Sequence, residues 1–300
     1  MTMTYAYSKL SLALLVLLFF MGCATPDTAP EVDPISLDSA QIKMTIHDIH
    51  GPAYATIPVS FDGHKEICLL DTGAQVSLAR NTPFFQKRTG SSRVLSWGAS
   101  GRSSVTFLSQ FKTVTIGGIR FPDRNFVMLD EKPTATRKYA CVIGLDFFRA
   151  GAIVFNFKEK YFQILASQSG ALSKWPMKNL SVSRTGQFSV PLTINAVPMN
   201  ALWDSGWEIT SIADTFMKAH PANFEFVRKI KSVDLHGGTM ETSIYSVKNP
   251  VFPGLSAKET ATSLDTKSSS VKNVDAVFGF NWMIHDNWIF DLRHGKWASF

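Results

Sequence analysis

Residues 67–78 read ICLLDTGAQVSL, an apolar run that passes without a polar break into a carboxylate, a hydroxyl and a glycine. Ile67, Cys68, Leu69 and Leu70 have the composition of a core strand, so Asp71 is expected at the rim of a hydrophobic interior. An ionised carboxylate loses several kcal/mol on burial unless it is hydrogen-bonded, shares a proton or does chemistry. Asp71 therefore calls for a partner, and the question that decides the fold is whether the chain supplies a second aspartate in the same setting.

It does, as part of an internal repeat. The apolar residues 199–203 lead into Asp204-Ser205-Gly206-Trp207, so a second Asp-Ser/Thr-Gly stands 133 positions after the first (204 − 71). Upstream, Ile57-Pro58-Val59 precedes Asp71 by the same distance at which Val190-Pro191-Leu192 precedes Asp204. Turn signals at Asp62-Gly63 and Asn195-Ala196 predict a β-hairpin feeding each aspartate. Downstream, Ser77 and Thr210 place a hydroxyl six residues past each carboxylate. Val142-Ile143-Gly144-Leu145-Asp146 then corresponds to Val277-Phe278-Gly279-Phe280-Asn281, and an apolar strand ends twelve residues after each glycine, at Asn156 and Asp291.

The duplicated pattern resembles the aspartic proteases of the retropepsin-like and pepsin-like families, and the likeness spans residues 41–300. Asp71-Thr72-Gly73-Ala74 is similar to the retropepsin-like site loop, in which alanine is the fourth residue. The resemblance implies an all-β fold with few short helices, arranged as two tandem lobes with a cleft between them. The first lobe is expected over residues 41–166, a linker over 167–176 and the second lobe over 177–300. Short alternating stretches punctuated by Gly and Pro, such as residues 112–116 (KTVTI), have the texture of such lobes. Helices are expected near residues 214–220 and after Gly144 and Gly279.

The same resemblance assigns roles. Asp71 and Asp204 would be the catalytic pair, one ionised to activate water and one protonated to hydrogen-bond the peptide carbonyl. Thr72 and Ser205 would each donate a hydrogen bond across to the opposite loop. Gly73 and Gly206 would let backbone amides approach the carboxylates, and Gly144 and Gly279 would let a strand cross close behind them. Ala74 fits the family, whereas Trp207 departs from it: its bulk could fill a substrate subsite, narrow specificity or block the cleft. Apolar bulk beside the pair should also raise its upper pKa and give a less acidic optimum than pepsin-like enzymes have. Gly-bearing turns at residues 97–101 and 236–238 are candidate flaps. Cys68 and Cys141 fall on strands that neighbour each other in this fold, so they form either a disulfide or two buried thiols.

The amino terminus has a different character. Lys9 precedes an apolar run over residues 10–20, long enough for the core of a signal peptide and too short for a comfortable membrane span. Phe20-Met21-Gly22-Cys23 is similar to a bacterial lipobox, which predicts a signal peptide over residues 1–22 and lipidation of Cys23; an ordinary signal peptide or an uncleaved anchor are the alternatives. Residues 23–40 then read as a tether, and Ala24 after the cysteine favours the outer membrane, facing the periplasm.

With 45% hydrophobic residues, 23 Phe and 7 Trp, the 300-residue chain has the means for a large core. The net charge of +6 is dispersed, with RKIK at residues 228–231 its densest run, which argues against a nucleic-acid partner. No nucleotide-binding loop, dinucleotide fingerprint or nucleophile elbow occurs. The seven His are scattered, and His47-x-x-His50 lacks a third ligand nearby, so neither metal nor cofactor is expected. The expected activity is hydrolysis of peptide bonds in extracytoplasmic proteins by a monomer whose lobes pair within one chain. The alternative is an inactive peptide-binding lipoprotein whose cleft Trp207 occupies.

Overall fold

In the strand Phe188–Ile194 every second residue is buried, and His64–Leu70 passes from exposed His64 and Lys65 to buried Cys68, Leu69 and Leu70. These patterns recur across a computed structural model that describes residues 37–48, 52–97, 103–129, 138–183, 186–233, 239–251, 258–264 and 274–300. The described residues belong to one unit, Val32–Phe300, and the fold is all-β with short helices. Asp214–Ala219, Leu145–Phe148 and Phe280–Met283 are helical where expected. The helix Pro83–Gln86 is an addition, started by the Thr82 cap and by Pro83 in the first turn.

Each half of the chain builds its own sheet, and the two have the same strand order. The first runs Thr45–Asp48, Pro52–Phe61, His64–Leu70, Cys141–Ile143, Leu78–Arg80, Ile119–Leu129, Ser103–Ile116, Thr89–Trp97. The second runs Ser181–Val182, Phe188–Ile194, Val197–Trp203, Ala276–Phe278, Ser211–Ala213, Lys258–Leu264, Thr239–Lys248, Phe224–Val233, with Pro250–Val251 paired to Phe188–Ile194 off this path. In both, the strand entering the aspartate lies parallel to the strand entering the matched glycine: Leu70 opposite Ile143, Trp203 opposite Phe278. Hairpin turns precede both. Asp62 and Gly63 have φ of 48° and 90°, Asn195 and Ala196 of 49° and 65°, the left-handed pair of a two-residue turn that suits strand twist.

A third sheet is shared. Its six antiparallel strands run Ile42–Lys43, Tyr161–Leu165, Ala152–Asn156, Trp288–Asp291, Lys296–Ser299, Lys178–Asn179, three from each half. The two apolar strands found after the matched glycines are its central pair, with Ile153 opposite Phe290 and Val154 opposite Ile289. On one face Trp203 is fully buried among Phe155, Phe188 and Phe290, ring centroids 5.0, 5.8 and 4.6 Å away. On the other, Ala171, Leu172, Trp175 and Met177 cover Ala152, Val154, Leu165, Ile289 and Ala298. The segment expected as a linker, residues 167–176, thus lies over the shared sheet, with a 3-10 helix over Gly170–Lys174.

Cys68 and Cys141 face each other across parallel strands and are disulfide-bonded, which settles the alternative left open by the sequence. The bond closes a loop of 73 residues, for which chain entropy gives about 4 kcal/mol. Replacing both cysteines with serine should lower the unfolding free energy by up to that amount, read as a lower urea midpoint. Ala196 occupies a left-handed conformation that its counterpart Gly63 adopts freely. Ala196→Gly should therefore stabilise the fold by about 1 kcal/mol, and a lower melting temperature for that variant would refute the strain.

Candidate active site

The parallel strand pairs deliver Asp71 and Asp204 to facing loops, each backbone amide held by the neighbouring strand: Asp71 N–H donates to the Ile143 carbonyl at 3.0 Å and Asp204 N–H to the Phe278 carbonyl at 3.1 Å. Both side chains are buried, 6% and 8% exposed. Asp71 Oδ1 accepts the amides of Gly73 at 2.9 Å and Ala74 at 3.0 Å, and Asp204 Oδ1 accepts that of Gly206 at 2.9 Å.

The loops are clasped by reciprocal hydrogen bonds. Thr72 Oγ1 donates to the Trp203 carbonyl at 3.0 Å and accepts the Ser205 amide at 3.0 Å. Ser205 Oγ donates to the Leu70 carbonyl at 2.9 Å and accepts the Thr72 amide at 3.1 Å. Both hydroxyls are fully buried and each is used as donor and acceptor, so the clasp leaves neither group unpaired. Gln187 adds a further link, its Nε2 donating to the Gly73 carbonyl at 3.3 Å.

The site glycines do something the sequence did not disclose. A Cβ at Gly73 would collide with the Asp204 carboxylate, and one at Gly206 with that of Asp71. Each glycine leaves room for the opposite aspartate, beyond exposing an amide to its own. Gly144 and Gly279 are as expected: a Cβ there would strike the backbone at Ala74 and Val76, or at Ile209 and Thr210.

Behind each loop the hydroxyl six residues on completes the support. Ser77 Oγ accepts the Gly144 amide at 2.9 Å and donates to Asp146 Oδ1 at 2.7 Å. Thr210 Oγ1 accepts the Gly279 amide at 3.0 Å, while Asn281 Oδ1 accepts the Thr210 amide at 2.7 Å. Asp146 and Asn281 were visible as matched residues, but the pairing of Ser77 with Asp146 requires the strand crossing that brings them together.

Electrostatically the pair disfavours double ionisation. Burial raises Asp71 above the ordinary carboxylate range. Burial, then the charge of Asp71, pushes Asp204 well above it, so the two carboxylates oppose each other's ionisation.

Trp207 is half-buried and turned into its own half. Its Nε1 donates to Ser211 Oγ at 2.7 Å, and its ring packs against Leu202, Leu264 and Val277. The strands that flank the candidate flap residues pair with each other, Thr89–Trp97 with Ser103–Ile116 and Phe224–Val233 with Thr239–Lys248. Residues 98–101 and 236–238 lie outside the described residues, as do Cys23, His50 and the signal segment. His47 Nε2 is 2.9 Å from Thr56 Oγ1, with its ring stacked on Tyr54. Among the described residues no three His, Cys, Asp or Glu side chains group as a metal site. No family model matches the chain, and no curated protein matches it.

Burial pushes Asp146 up to about 6, against the pull of the Ser77 hydrogen bonds and the Arg124 charge. With a folded pKa above the ordinary value near 4, the native state holds this proton more tightly than the unfolded chain. Its stabilisation is present below about pH 4 and is lost as pH rises to about 6, on the order of 3 kcal/mol. Asp146→Asn copies the solution of the second half. It should match the parent's melting temperature at pH 4 and exceed it at pH 7; parallel melting curves across that range would refute the assignment.

Proposed function

We propose that the chain is an aspartic endopeptidase related to the retropepsin-like and pepsin-like families, with Asp71 and Asp204 activating one water against a peptide carbonyl. The carrying observation is the pair of buried aspartates brought to facing loops that Thr72 and Ser205 clasp together. Two lobes over residues 41–166 and 177–300 would each contribute one aspartate.

In this reading Asp71, ionised, takes a proton from water as its oxygen adds to the carbonyl carbon. Asp204 gives its proton to the carbonyl oxygen, so a neutral gem-diol forms and the charge on the pair moves to Asp204. Asp71 then passes its proton to the amide nitrogen while Asp204 recovers one from a diol hydroxyl. The C–N bond breaks, releasing an acid and an amine, and the starting protonation is restored. No covalent enzyme intermediate is needed. The amides of Gly73 and Ala74 favour the charged form of Asp71 before water attacks and again once the products form.

The indole of Trp207 is attached to its own half, and this favours cutting over a cleft closed around a held peptide. Both aspartates come from one chain, so a monomer suffices. We place the protein in the bacterial envelope, lipid-anchored through Cys23 at the outer membrane and facing the periplasm. The Cys68–Cys141 disulfide supports this, because such bonds persist in oxidising compartments.

Asp71→Asn and Asp204→Asn should each lower cleavage of a peptide library by about 10²- to 10⁴-fold. The pH–rate profile should be bell-shaped. Its acid limb reports protonation of Asp71 and its alkaline limb loss of the Asp204 proton, and both are raised by burial. An optimum well below about pH 4 would contradict that burial argument, and full activity in either Asn variant would end the dyad mechanism.

A further inference from the structure

The two sides of the carboxylate pair are built differently. The Ala74 amide donates to Asp71 Oδ1 and the Trp207 amide to the backbone carbonyl of Asp204 at 3.1 Å, so both matched positions directly follow the site glycines and close the turns that carry the carboxylates. Both side chains are half-buried. One is a methyl group and the other an indole.

The surroundings have changed to suit. Where the first half has Leu78 and Val127 side by side, the second has Ser211 and Thr262, hydrogen-bonded to each other. Ser211 supplies the acceptor for the indole N–H, which would otherwise be costly to bury. Next to the Ala74 side, Tyr54 and Tyr139 stand edge to face at 5.4 Å. Their counterparts by position are Gln187, committed to the Gly73 carbonyl, and Val274. The Ala74 side is thus a broad aromatic and aliphatic wall, and the Trp207 side is filled from within.

We propose that Trp207 determines specificity: it admits only a small residue, such as Gly, Ala or Ser, on its side of the scissile bond, while the Ala74 side takes a large apolar one. This deepens the endopeptidase reading and rests on it. The pinned indole stands where the matched position in the first half has only the Ala74 methyl group, so a bulky residue presented on the Trp207 side must displace a ring that is both hydrogen-bonded and packed.

The test compares kcat/KM for peptide pairs that differ only by Ala against Leu or Phe, on either side of the cleaved bond. The parent should prefer the small residue on one side by about tenfold or more. Trp207→Ala should erase that preference by raising kcat/KM for the bulky peptides, with selectivity on the other side unchanged. Ala74→Trp should impose the same preference on the opposite side. Trp207→Leu serves if the alanine variant does not fold. Variants that change all peptides by one common factor, or change none, would overturn the role of Trp207 and leave the endopeptidase standing. No cleavage by parent or variants would overturn both.

Discussion

Two like charges cannot be held side by side in a buried site, and the region around residues 71 and 204 is arranged around that constraint. Burial disfavours ionisation of both groups and the charge of Asp71 disfavours it further at Asp204, so a single shared proton is the stable state. Such a state survives only if the carboxylates are kept in register, since separation or solvation would let both ionise. The clasp of Thr72 and Ser205 performs that task with four buried hydrogen bonds. Gly73 and Gly206 remove the two side chains that would push the aspartates apart.

The clasp is only as rigid as what it is tied to. Thr72 donates to the carbonyl of Trp203, whose ring is fully buried against Phe155 of the first half and Phe188 and Phe290 of the second. Ser205 donates to the carbonyl of Leu70, in the strand bonded to Cys141 through Cys68. Each hydroxyl therefore fixes its own loop to the core of the other half. The shared sheet carries this outward, because its central strands begin a short helix and turn after Gly144 and Gly279. Local geometry at the carboxylates and global pairing of the halves are one cooperative unit.

The sequence disclosed the parts of this arrangement that repeat and concealed the parts that join. Spacing identified Asp71 and Asp204, the hairpins before them, the hydroxyls at Ser77 and Thr210, and the crossing glycines, because each is a local signal found twice. The shared sheet was not legible: continuous apolarity over residues 153–155 and 288–290 reveals burial on both faces but names no neighbour. Ser, Gly and Pro made residues 167–176 read as a joint between lobes, and the packing of Leu172 and Trp175 on the shared sheet depends on contacts that no local pattern names. The function of Gly73 toward Asp204 also depends on a contact 131 positions away along the chain, beyond any local pattern (204 − 73).

Differences between the halves follow a physical division. At the clasp, each copy must satisfy the other, and the hydroxyl, the aspartate and the glycine are all kept in kind. Away from it, each copy need only satisfy itself, and the solutions part. The adjacent cysteines of the first half face one another as a disulfide, whereas Ala201 and Ala276 fill the same register in the second. A half-buried Asp146 supports one loop and a neutral Asn281 the other, so at this matched position the first half alone has a titrating group behind its aspartate. Ala74 and Trp207 stand at the boundary between these regimes, since their backbones close the aspartate turns and their side chains pack within their own half. The backbone there is bound by the two-fold arrangement and the side chain is not. Such a position can become asymmetric without disturbing the clasp, so a symmetric pair of carboxylates can stand between two unlike surroundings.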